Sequence, residues 1–135
     1  MESNMKPADR IPSAALASLI ILQSVMLSAL YAGVPPHPPE AIPLFGIAPF
    51  LGLALSVAAA ALILGPGSSH AGRCAGCVAA LMALLSFGPQ KYFDAQFALI
   101  WPAVLGGQVA SLVLIANLVM KGRSGREAAV AGAKS

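Results

Sequence analysis

From Asp94 to Met120 the sequence reads DAQFALIWPAVLGGQVASLVLIANLVM, with no charge after its first residue and with Lys121, Arg123 and Arg126 close behind. Crossing roughly 30 Å of hydrocarbon at about 1.5 Å per residue takes about 20 apolar residues, and this run supplies them with a few to spare for tilt. A basic cluster at its end is the pattern of a helix halted at a membrane surface. The other apolar runs must therefore be threaded to agree with it.

Composition leaves the same class standing. The chain is 58% hydrophobic and 10% charged, with a mean hydropathy of +0.81, whereas soluble domains carry about 25% charged residues. Eight Lys and Arg and five Asp and Glu are too few to cover a water-soluble core of this size. The basic residues flank apolar runs and have no aromatics interleaved, so the sequence pI near 9.2 speaks for topology and anionic lipid, not for nucleic acid.

Taken in order, the chain predicts an all-α integral membrane protein, a four-transmembrane-helix bundle. Residues 1–11 read as a polar surface tail and residues 12–120 as the membrane domain, with spans of about 13–33, 43–64, 72–88 and 94–120; residues 121–135 read as a basic, mobile tail. Pro12 suits a first helical turn, and Gly33 a helix end. A cleavable signal peptide is the alternative for the first span, which is longer than a signal core of about 7 to 15 residues. Residues 34–43, VPPHPPEAIP, hold five of the eleven prolines and predict a stiff, extended connector. Gly65-Pro66-Gly67 stops the second span, which Pro49 should kink. The third span is the weakest, because its strictly apolar part covers only Cys77–Phe87, which alone suits a re-entrant or interfacial segment; the charge pattern favours a crossing. Gly88-Pro89 ends it, Lys91 and Tyr92 mark an interface, and Asp94 is placed to cap the fourth helix. Ile47-Ala48-Pro49 and Ile100-Trp101-Pro102 form a faint internal echo.

Four crossings put Lys6, Arg10, Arg73, Lys121, Arg123, Arg126 and Lys134 on one side and Lys91 on the other. By the positive-inside rule the chain is N-in/C-in, as expected for a multi-pass protein of a bacterial inner (cytoplasmic) membrane. Five Phe, two Tyr and one Trp then all fall in the outer half: Tyr31, Phe45, Phe50, Phe87, Tyr92, Phe93, Phe97 and Trp101.

Small residues recur at every fourth position: Ser24, Ser28 and Ala32; Ala48, Gly52, Ser56 and Ala60; Ala75, Ala79 and Ala83; Ala103, Gly107 and Ser111. Such stripes let backbones approach where hydrophobic burial gives little drive, so Gly52, Ser56, Ala103, Gly107 and Ser111 are the helix-packing candidates, for contacts within the chain or with another subunit. Gln23, Gln108 and Asn117 are uncharged polar groups at depth, suited to bonds between helices. The outer aromatics suggest an apolar-ligand site for a quinone, carotenoid or lipid at Phe97, Trp101 and Gln108. His70, Cys74 and Cys77 invite a metal or redox reading but fall one soft ligand short of a closed zinc site, so Cys74 and Cys77 are expected to be buried thiols acting as small apolar residues. His37 and Glu40 read as solvated loop residues.

In size the chain resembles the small multidrug resistance transporters, which imply a buried glutamate in the first helix; Ser13–Ala32 has none. In its four spans it resembles quinone-linked disulfide-generating membrane proteins, which imply outer cysteines, whereas Cys74 and Cys77 fall on the inner side. No Asp, Glu, Lys, Arg or His lies in mid-membrane, which argues against ion-coupled transport. The expected role is that of an accessory or assembly subunit in a larger membrane complex, respiratory or photosynthetic by analogy. Its partners are then the lipid bilayer and other membrane subunits or further copies of the chain, and no cofactor is specified.

Overall fold

The computed structural model describes residues 6–34 and 44–133, with only the backbone at Leu44 and Phe45. The Pro-rich connector with His37 and Glu40, the Phe45 side chain and Lys134 lie outside the described residues. Four helices carry the chain: α1 (Arg10–Ala32), α2 (Leu44–Leu64), α3 (His70–Phe87) and α4 (Phe97–Gly132). Each is long and apolar enough to cross a membrane. Two short 3-10 turns, Pro7–Asp9 and Pro89–Phe93, precede α1 and α4, and there is no strand among the described residues.

Local chemistry sets most of the ends. Gly33 takes the left-handed conformation (φ 62°), and the amides of Gly33 and Val34 close onto the carbonyls of Leu30 and Ala29. This is the Schellman stop for which glycine is suited, having no Cβ to clash. Ser69 caps α3 by accepting from the amide of Gly72 at 2.8 Å. Pro49 and Pro102 each occupy the sixth residue of a helix that continues unbroken through them.

The helices form a closed ring in which α1 packs on α2 and α4, and α3 packs on α2 and α4. Short connections make neighbours antiparallel. The core is built of alanines and leucines: Ala15, Leu16 and Leu19 of α1, Ala58 and Ala61 of α2, Ala79, Ala80 and Ala83 of α3, and Ala110, Leu114 and Leu118 of α4. Alanine faces bring the axes close, and each leucine fills the space between turns. The α3 and α4 contact is reciprocal. A Cβ at Gly76 of α3 would lie 2.8 Å from Leu118 of α4, and one at Gly107 of α4 would lie 2.6 Å from the ring of Phe87 of α3. Each helix thus supplies one cleft and one knob, about 16 Å apart at the standard rise.

The structure changes three sequence expectations. Ala8 and Asp9 are docked, with Asp9 buried, where a surface tail was expected, while Lys6 and Pro7 are exposed. Asp94 does not cap α4. Its carboxylate accepts from the amide of Gln96 at 2.9 Å, a local turn ahead of a helix that begins at Phe97; the short Asp side chain bonds two residues on in preference to reaching the helix. The 121–135 tail is helical to Gly132, because Ala128, Ala129 and Ala131 favour helix strongly enough to carry it past Gly122 and Gly125. The α2 stripe, read as a contact either within the chain or with another subunit, faces away from the bundle. Leu51, Ala54, Ala58 and Ala61 are buried, whereas Ser56 is exposed and nothing lies within 4 Å of a Cβ at Gly52.

Candidate functional site

The ring has two unlike ends. The end formed by residues 6–10, the 65–69 connection and Lys121 is basic, whereas the opposite end gathers Tyr31, Phe50, Phe87, Tyr92, Phe93, Phe97 and Trp101. Among the described residues, Lys91 and Asp94 are the charges at the aromatic end. Their side chains are 22% and 14% exposed, with Lys91 Nζ 3.5 Å from Asp94 Oδ2. That contact is longer than a good charged hydrogen bond, so both groups keep bonding capacity.

A polar staple fixes the connection that carries this pair. Gln108 of α4 donates from Nε2 to the Phe87 carbonyl at 2.9 Å and accepts on Oε1 from the Tyr92 hydroxyl at 2.7 Å. Tyr92 also stands edge-on to Phe97, with ring centroids 5.2 Å apart. Gln90 donates to the Leu85 carbonyl at 2.7 Å. The end of α3, the 3-10 turn and α4 are therefore tied at several points.

Beside this staple is a hollow of about 210 Å³, walled by Leu22, Val25 and Met26 of α1 and by Leu99, Ile100 and Ala103 of α4. Lys91, Asp94 and Gln96 stand among its lining residues. Phe97, Trp101 and Gln108, expected to hold a ligand, do not line it. Both functional atoms of the Gln108 amide are engaged within the chain, Phe97 packs on Tyr92, and Trp101 is half exposed. The aromatic end does have a hollow, but other residues form it. The i, i+3 spacing of Lys91 and Asp94 was the available signal.

The remaining polar candidates divide. Asn117 bonds the Val113 carbonyl of its own helix at 2.9 Å, so it does not join two helices. Gln23 is 1% exposed and Ser111 fully buried, and Gln23 Nε2 and Ser111 Oγ have no hydrogen-bond partner. Of the packing candidates on α4, Gly107 and Ser111 are buried and Ala103 partly so. His70 Nδ1 and Cys74 Sγ lie 3.7 Å apart; Cys74, expected to be buried, is exposed in the first turns of α3, and Cys77 is partly buried. No group of three His, Cys, Asp or Glu side chains that could hold a metal occurs among the described residues.

The residue missed altogether is Asp9. It stands at the N-cap position of α1, where Asp is favoured, but its carboxylate turns away and accepts from the amide of Gly67 at 2.6 Å. Lys121 of α4 donates to the neighbouring Ala8 carbonyl. Gly67 permits this approach, since a Cβ there would run into the Ala8 backbone and Lys121 Nζ. Three parts of the chain thus meet at the basic end: the start of α1, the α2–α3 connection and the exit of α4.

No family model, curated protein or solved structure matches the chain.

Proposed function

We propose that this chain is a small multi-pass membrane subunit whose role is to pack against another membrane protein through the outer face of α2. The observation that supports it is the make-up of that face. Pro49, Gly52, Ser56 and Ala60 fall on consecutive turns and point away from the bundle, and the Ser56 hydroxyl donates to the Gly52 carbonyl at 2.8 Å. Helix faces turned only to lipid have no reason to be small. A shallow, self-satisfied stripe instead lets a second helix come close, and close van der Waals packing is what drives helix association in lipid.

In this reading the basic end is cytoplasmic and the aromatic end lies at the outer surface of a bacterial inner membrane, as the positive-inside rule requires. The partner is an apolar helix from another subunit, or α2 of a second copy. Gly52→Leu tests this, because the new side chain meets open space within the chain and so leaves the bundle intact. Purified from native membranes in mild detergent, the wild type is expected to migrate as a complex and Gly52→Leu as a free chain with the same helical content. Complex formation undiminished by Gly52→Leu would remove the support for the α2 face.

A further inference from the structure

A second hollow, of about 390 Å³, adjoins the first at the aromatic end, between α1, α2 and the end of α3. Met26, Ser86 and Lys91 line both. Leu22 and Leu99 give the first hollow its apolar walls, and Phe50 and Leu85 do so for the second. Two apolar hollows therefore share one lysine in their walls. That is the outline of a molecule with two apolar chains joined at a charged head.

The charges narrow the head. Lys91 brings up to three donors, and among the described residues they meet one loose contact at 3.5 Å. Asp94 uses Oδ1 for the Gln96 amide and holds Oδ2 toward Lys91. The pair as a whole is neutral. A purely anionic head would satisfy Lys91 and face Asp94 with like charge, and a trimethylammonium head has no N–H to give Asp94. A phosphate joined to a primary ammonium matches both groups, since each charge finds its opposite and the ammonium donates to the free carboxylate oxygen.

We propose that the two hollows form a site for a diacyl phospholipid with a phosphoethanolamine headgroup, one acyl chain in each hollow, the phosphate at Lys91 and the ammonium at Asp94. The site rests on the chain lying in a membrane with its aromatic end at the lipid headgroups, and it does not depend on what docks against α2. Such a lipid would fill both hollows and bridge α1, α2 and α4 at the aromatic end of the ring.

The test uses the full chain in detergent, delipidated and then offered phosphatidylethanolamine, phosphatidylglycerol or phosphatidylcholine at equal amounts, with retained lipid counted by native mass spectrometry. One phosphatidylethanolamine per chain is expected, with a preference of about fivefold over the other two, the size that a partly exposed ionic contact supports. Asp94→Asn, whose side-chain oxygen can still accept from the Gln96 amide, should abolish the preference while keeping retention. Lys91→Gln should lower retention of all three lipids. Ala103→Phe fills the first hollow with both charges intact and should also lose the lipid, whereas Ala98→Phe, exposed on the same helix, should not. Helical circular dichroism reports whether each variant is folded, and the two phenylalanine variants decide the matter if Lys91→Gln is not. Equal retention of the three lipids by the wild type, a preference that survives Asp94→Asn, or retention unaffected by Ala103→Phe overturns the proposal. Loss of the lipid site with the chain still in the membrane fraction leaves the α2 reading untouched.

Discussion

Gly107→Leu should destabilise the bundle by about 3 kcal/mol or more, at the upper end of what overpacking a close-packed interior costs. A Cβ at this position would already lie 2.6 to 2.8 Å from Phe87 Cγ, Cβ and Cδ2. Phe87 has little freedom to retreat, since it is 4% exposed and its carbonyl is bonded to Gln108, the next residue along α4. Gly107→Ala should therefore be harmful as well. Truncating the knob tests the cause: Phe87→Ala combined with Gly107→Leu should recover part of the loss, because the leucine then enters the space the ring vacated. Thermal unfolding in detergent checks all three variants. Gly52→Leu is the matched control, adding the same side chain to a glycine with nothing nearby.

That contrast also marks how far the sequence could be read. Gly52 and Gly107 occupy indistinguishable small-residue stripes, and both were expected to be contact surfaces. The deciding factor is which face each helix turns inward, set on α2 by Leu51, Ala54, Ala58 and Ala61 and on α4 by Val104, Leu114 and Leu118. An all-round apolar helix gives no polar face from which to deduce this. The fourth helix was legible because its apolar run ends in a basic cluster. The third was obscure because its first turns read HAGRCAGC, small and polar residues without an apolar stripe. In the folded chain those glycines are contacts: a Cβ on Gly72 would meet the Gly65 carbonyl, and one on Gly76 would meet Leu118. The hollows at the aromatic end were not legible at all, since Leu22 or Leu99 at the wall of a cavity is the same letter as Leu16 or Leu114 in a packed core.

The second large effect concerns the basic end. Asp9→Ala removes the acceptor for the Gly67 amide and leaves that N–H buried without a partner. Hydrogen bonds to a charged group contribute about 1.5 to 3 kcal/mol, and an orphaned buried donor costs a similar amount, so a loss of about 2 kcal/mol is expected. Asp9→Asn keeps an acceptor oxygen of the same reach and should cost less. Gly67→Ala attacks the same junction from the other side, because its Cβ would collide with the Ala8 backbone. Both variants should release the start of α1, raising amide hydrogen exchange at residues 6–10 and 65–69 while the centres of α3 and α4 stay protected. Unchanged exchange in Asp9→Ala would mean that the Ala8 and Lys121 contact alone holds the junction.

Everything proposed for the α2 face and the lipid site presupposes four crossings with the basic end in the cytoplasm. The direct measurement is labelling of intact cells with a membrane-impermeant thiol reagent, in a background of Cys74→Ser and Cys77→Ser. Ala95→Cys and Gly122→Cys are suitable probes, since both positions are exposed and lie at opposite ends of the ring. The account predicts that Ala95→Cys is labelled from outside and that Gly122→Cys is labelled only after the membrane is opened. Labelling of Gly122→Cys in intact cells, with or without Ala95→Cys, would contradict it.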